Sequence, residues 1–164
     1  MKKVRLFLCL AGLCYFAIGY GQNEKFKALF IYNFTNYIEW PSSSATFIIT
    51  VVGDSPIINE LEAISKIKKV GNAAIEVKKV NSVGEIGSTQ IVYIPSDKKR
   101  VLPDLAQAMS GKATLIISDN APGKFGINFV EVDSKQAFQI SKSNIEGHKL
   151  KVNTSLISLG TLVN

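Results

Sequence analysis

Residues 47–56 read FIITVVGDSP, and the fold is decided there. Six apolar or β-branched residues follow one another without a charge, the pattern of a strand buried on both faces rather than one. Gly53-Asp54 then turns the chain. Ser55-Pro56 opens a helix, with serine as the cap and proline in the first turn, and that helix carries Ile57, Ile58, Leu61 and Ile64. A doubly covered strand feeding directly into a helix is the repeating unit of an α/β protein.

The same alternation continues on the C-terminal side. Ala74–Val80 reads as a half-buried strand, Gln90–Ile94 as a third strand and Ala113–Ser118 as a fourth. A helix through Leu102, Leu105, Ala106 and Met109 separates the last two. Ile127–Val132 and Gln136–Ile140 form a hairpin around Asp133-Ser134, and Asn153–Val163 reads as a closing helix. On the N-terminal side, Phe26, Leu29, Phe30, Phe34, Tyr37 and Ile38 recur at helical spacing over 24–38, with Asn23 as a cap and Pro41 as a stop. Continuous apolar strands alternating with helices predict a three-layer α/β sandwich of Rossmann-like type, its sheet mixed because of the hairpin but mostly parallel.

The chain begins MKKVRLFLCLAGLCYFAIGYG. A basic start, a 13-residue apolar run from Leu6 to Ile18 and small residues at Gly19 and Gly21 make a secretory signal peptide over 1–21. The run falls short of the roughly 20 residues that span a bilayer. Residues 22–164 then form a single domain, exported to the periplasm and not inserted in the membrane. Cys9 and Cys14 both leave with the signal, so the mature chain has no thiol and no disulfide. Lys2, Lys3 and Arg5 leave too, so the 19 basic residues become 16 against 13 acidic, a net +3. With scattered charge and no basic-aromatic array, nucleic acid is not an expected partner.

The chemistry-bearing residues are few. One histidine, His148, sits beside Gly147 in what reads as an exposed polar turn, and with no cysteine no ordinary zinc site can form. There is no phosphate loop and no nucleophile elbow. Two S-x-x-K matches, at Ser65 and Ser96, and Ser118-Asp119-Asn120 lack the K-T-G that would complete a penicillin-recognising set. The expectation is a non-enzyme without metal or cofactor. In doubly wound sheets ligands sit beyond the carboxyl ends of the strands, which selects Gly53, Asp54, Ser55, Ser96, Ser118 and Asp119 as a candidate ligand pocket.

Residues 30–41, FIYNFTNYIEWP, put an aromatic stripe ahead of Trp-Pro. The polar face holds Thr35, Asn36 and Glu39, not the basic residues of a membrane-surface helix, so the stripe reads as core. Asn33 falls where the stripe would bury it, so its amide is expected to hydrogen-bond a neighbouring strand or loop. The segments Lys27–Phe34 and Tyr37–Pro41, with Asn33, Phe34, Tyr37, Trp40 and Pro41 as the motif residues, resemble the opening of the YfiR/HmsC family. The resemblance continues through Ile48–Asp54, Thr114–Asp119, Gly126–Val130 and Phe138–Leu159. It implies a periplasmic α/β protein that binds and represses the outer domain of an inner-membrane signalling enzyme of the diguanylate cyclase type, limiting cyclic di-GMP and biofilm formation. A sensor histidine kinase as partner and a small-ligand carrier are the alternatives, with a minimal hydrolase disfavoured because His148 alone could serve as its base; the chain can also pair with a second copy of itself as a homodimer. Well-studied members carry disulfides, which this mature chain cannot form. The glycine-rich lead into Gly126 is altered here to Pro122-Gly123-Lys124-Phe125. That loop, as an exposed Pro/Gly turn carrying an aromatic, is the candidate partner-binding segment.

Overall fold

The apolar run at 47–52 becomes the centre of the sheet. The computed structural model describes residues 23–42, 44–121 and 124–163; the signal segment lies outside them. In chain order the elements are α1 (23–34), β1 (Ile38–Glu39), β2 (Thr46–Val52), α2 (Ile57–Ser65), β3 (Lys69–Val70), β4 (Ala73–Val80) and β5 (Ile91–Ile94). There follow α3 (Leu102–Ala108), β6 (Leu115–Asp119), β7 (Ile127–Val132), β8 (Lys135–Ile140), α4 (Lys142–Gly147), β9 (Lys151–Val152), α5 (Thr154–Leu159) and β10 (Thr161–Leu162). Short 3-10 turns at Val83–Glu85 and Ser96–Val101 lead into β5 and α3.

Eight strands form one sheet in the order β10-β8-β7-β6-β5-β2-β4-β3. The inner strands β4, β2, β5, β6 and β7 run parallel. The β7–β8 hairpin is antiparallel, and β3 is antiparallel to β4. All of β5 and β6 is buried, as strands covered on both faces must be. On one face Ala28, Ile31 and Phe34 of α1 and Ile57 and Leu61 of α2 pack over Ile49, Val51, Tyr93, Ile117 and Phe129. Phe34 is the hub, its ring 5.0 Å from Phe138 and 5.9 Å from Phe129. On the other face Leu102, Leu105 and Met109 cover Val92, Ile94 and Ile116. The result is the expected three-layer α/β sandwich with a mixed, mostly parallel sheet.

The β6–β7 connection is unusually short for parallel neighbours, which commonly need a dozen or more residues. It works because β7 enters level with Ile117, two residues back from the end of β6. On the α3 face Ala121 is buried after β6 and Phe125 is half-buried before β7. The connection ends at Gly126, whose φ of +145° and close approach to the Ile116 carbonyl exclude any side chain.

Several local expectations give way to tertiary structure. The first helix stops at 34, not 38. Its last turn tightens through hydrogen bonds from the N–H groups of Thr35, Asn36 and Tyr37 to carbonyls three residues back, and the Thr35 hydroxyl donates to the Tyr32 carbonyl at 2.6 Å. Ile38 is then free to pair with Val152 of β9. The buried stripe of α1 is also rotated from the one read in the sequence. It runs through Lys27, Ala28, Ile31, Phe34 and Thr35, leaving Phe26 and Leu29 38% and 42% exposed. Asn33 is exposed as well, and makes no side-chain hydrogen bond among the described residues. Asn23 is already helical and Ser55 caps nothing, since the residue before α2 is Pro56 and no side chain bonds there. The closing helix is shorter than expected. Asn153 caps it through Ser155 N–H, it ends at Leu159, and Gly160 lets the chain turn flat against the Phe138 ring so that Thr161–Leu162 joins β8. His148, expected in solvent, is buried, with Nδ1 3.0 Å from the Met109 carbonyl oxygen; α4 carries it under the end of α3.

Candidate functional site

The parallel strands β2, β5 and β6 all end on one edge, and the N-termini of α1 and α2 come to the same edge. Between them lies a half-open cavity of ≈ 320 Å³, lined by Glu24, Asp54, Ser55, Pro56, Tyr93, Pro95, Ser96, Asp97 and Asp119. Four of the residues predicted from strand ends line it: Asp54, Ser55, Ser96 and Asp119. Two do not. Gly53 has φ +83°, donates its N–H to the Val80 carbonyl and is covered by the Lys98 chain. Ser118 points to the opposite face, because neighbouring strand residues alternate, and there it donates to Asn128 Oδ1 at 3.0 Å.

The cavity floor is a buried ion cluster. Lys27 Nζ lies 2.7 Å from Asp119 Oδ2 and 3.1 Å from Glu24 Oε1, with only 4% of its side chain exposed. Burial pulls its ammonium pKa down, but the hydrogen bonds and charges of Asp119 and Glu24 outweigh that, and the net shift is upward. Tyr93 is buried beside it and its hydroxyl makes no hydrogen bond among the described residues. Burial, and after it the carboxylates of Asp119, Glu24 and Asp97, raise the phenol far above its ordinary range, so it stays protonated. At the rim, Asp54 pairs with Lys79, whose hydrogen bond and charge hold the carboxyl below the usual range.

Sequence reasoning missed Glu24, Lys27 and Tyr93. Lys27 carried a signal: it stands at helical spacing with Ile31 and Phe34, and a lysine on a buried stripe requires a buried carboxylate. Nothing in the sequence says which one, since Asp119 is 92 residues away.

Behind the same edge, on the α3 face, Asn128 is fully engaged. Its Oδ1 accepts from Ser118 and from Ala121 N–H, and its Nδ2 donates to the Ala121 carbonyl and to Gln139 Oε1, all at 3.0–3.1 Å. This ties the β6–β7 loop to the sheet. Of the predicted loop contact, Lys124 is exposed and Phe125 half-buried, while Pro122 and Gly123 lie outside the described residues. Of the motif residues, Phe34 is buried, Tyr37 and Trp40 are half-buried, and Asn33 and Pro41 are exposed. Trp40 packs edge-on to Phe47 at 4.9 Å and donates to the Gln90 carbonyl at 3.3 Å. It walls a larger concavity of ≈ 540 Å³ at the opposite edge, which no charged residue lines among the described residues.

One surface is unexpectedly apolar. Phe26 and Leu29 of α1, Leu159 of α5 and Leu162 of β10 are 38%, 42%, 65% and 52% exposed. A groove of ≈ 260 Å³ between α1 and α5 is lined by Phe30, Phe34, Tyr37, Phe138, Leu156 and Leu159 together with Asn33 and Asn36, and the tilted Phe26 ring lies 4.3 Å from Phe30.

Among the described residues, neither an imidazole nor a thiol lines the strand-end cavity. Among the described residues no cluster of three or more His, Cys, Asp or Glu could hold a metal ion, and no helix is long and apolar enough to cross a membrane. The residue pattern over 24–161 matches the family described as YfiR/HmsC-like. No curated protein matches the chain significantly.

Proposed function

Since the chain belongs to the YfiR/HmsC-like family, a family of regulatory proteins, we propose that it is exported, cleaved after Gly21, and acts in the periplasm as a non-catalytic repressor of an inner-membrane diguanylate cyclase. The observation that supports this is the apolar face of α1, α5 and β10. Large exposed apolar patches mark protein-docking surfaces, and aromatic and leucine side chains beside a groove suit a partner helix. A repressor must bind one state of its target better than the other. Contacts made by a rigid helix backed by the sheet meet that need, because α1 cannot adapt equally to both states.

The test is capture of the purified outer domain of the cyclase encoded beside this protein. Wild type captures it, and Leu29→Ser, folded by circular dichroism, loses capture. Phe125→Ser tests the β6–β7 loop. Capture lost with Phe125→Ser but kept with Leu29→Ser would move the interface to that loop, and no capture by wild type would reject the cyclase as partner.

A further inference from the structure

The strand-end cavity is not needed for docking through the α1 face, yet it is built. Four carboxylates line it, those of Glu24, Asp54, Asp97 and Asp119. Three lysines pair with them within 4.0 Å: Lys27, Lys79 and Lys98. Lys27 serves two of them, Glu24 and Asp119, so the carboxylates outnumber the lysines by one. Glu24 Oε2 is buried and has no hydrogen-bond partner among the described residues. The Tyr93 hydroxyl, on a residue 1% exposed, also lacks a partner among them while lining the cavity. Buried polar atoms are nearly always satisfied, so the unpartnered Glu24 oxygen, on a residue that lines the cavity beside the Tyr93 hydroxyl and an excess of carboxylate, points to a ligand with N–H donors.

We propose that this cavity binds a small aliphatic amine in its protonated form, the ammonium held by Glu24 and the Tyr93 hydroxyl and the alkyl chain lying along Pro56 and Pro95. An ammonium supplies the missing positive charge and the missing donors together. The carboxylates outnumber the lysines, which disfavours an anion despite the two helix N-termini at this edge. The spread of the carboxylates leaves no cluster suited to a metal ion among the described residues. At ≈ 320 Å³ the cavity stands at the small end of ligand sites, which suits a short chain. Glu24 and Lys27 share α1 with Phe26 and Leu29, so an occupied cavity and a docked partner act on one helix. That consequence rests on the regulatory reading; the binding itself does not.

The experiment is thermal melting and calorimetric titration of the purified protein with 1,4-diaminobutane, with 1,4-butanediol as the neutral isostere and calcium chloride and sodium butyrate as ionic controls. The diamine raises the melting temperature saturably at up to millimolar concentration, and the diol, calcium and butyrate do not. Glu24→Gln and Tyr93→Phe keep the side-chain shapes and weaken diamine binding by about tenfold or more, the effect of losing a hydrogen bond to a charged group. Asp97→Asn, on a side chain 64% exposed, leaves the core untouched and weakens it severalfold. Absence of a saturable shift, an equal shift with the diol, a response to calcium or butyrate instead, or diamine affinity unchanged in all three variants would each overturn the proposal. No partner enters this assay, so its failure and the failure of cyclase capture are separate results.

Discussion

Replacing Lys27 by methionine isolates the electrostatic tie between α1 and the sheet. Methionine keeps most of the length and volume, so the packing of α1 changes little and the lost quantity is the charge. The ammonium is 4% exposed, and the Asp119 side chain that faces it at 2.7 Å is 9% exposed. Without Lys27, the Asp119 carboxylate keeps only a long contact of 3.4 Å to Asn120 Nδ2. Breaking a buried pair from one side costs about 3–5 kcal/mol, because the other charge is left stranded. For a domain of this size each kcal/mol lowers the melting temperature by roughly 3 °C, so Lys27→Met melts about 10–15 °C below wild type. Adding Asp119→Asn removes the more buried of the two stranded charges, leaving that of Glu24, and recovers part of the loss, since buried pairs replaced as a unit are often nearly neutral. The pH dependence has a definite sign. Lys27 has a pKa raised above 10.5 in the folded state, so its stabilisation is fully present below about pH 10.5. It is lost as the pH rises through the folded value, and the variant lacks this alkaline component. Thermal unfolding followed by circular dichroism from neutral to alkaline pH measures all three effects. A single variant melting within about 2 °C of wild type, or a double variant worse than the single, would refute a desolvated pair at this site.

Asn128→Ala leaves the Ser118 hydroxyl and both polar groups of Ala121 without their partner and costs about 1–3 kcal/mol in urea unfolding. Gly126→Ala meets the Ile116 carbonyl at a φ of +145° and abolishes soluble expression, whereas Gly71→Ala, at φ +58° with open space around it, costs only about 1–2 kcal/mol; equal behaviour of the two would refute the steric account. On the proposed cleavage after Gly21, intact mass of the exported protein begins at Gln22, and its melting temperature is unchanged by reductant because Cys9 and Cys14 would leave with the signal.

The inner sheet was legible because its signal is one-dimensional: FIITVV, QIVYI and ATLIIS are buried on both faces, and that alone makes them apolar from end to end. The hairpin was legible from its turn, since Asp133 and Ser134 take the positive φ of 50° and 59° that a two-residue connection requires. The rotation of α1 was not. Phe26, Leu29 and Phe30 are as good a helical stripe as Ala28, Ile31 and Phe34, and only the sheet decides which faces inward. Small Ala28 lets α1 approach closely, leaving the bulkier flank for the surface. Four of the nine residues lining the strand-end cavity followed from topology, because Asp54, Ser55, Ser96 and Asp119 stand at or just after strand ends. Glu24 and Tyr93 did not, since a helix earlier in the chain and a mid-strand tyrosine reach that edge only after folding. His148 reads as a turn residue by its neighbours, and only the contact with Met109, 39 residues away, buries it.

The most direct measurement of the central claim is cellular cyclic di-GMP in a strain lacking this protein, complemented with wild type or with a folded Phe26→Ser/Leu29→Ser variant. The regulatory account predicts that deletion raises cyclic di-GMP, that wild type restores it, and that the double variant does not. An unchanged level on deletion, or full restoration by the variant, would contradict repression through the α1 face.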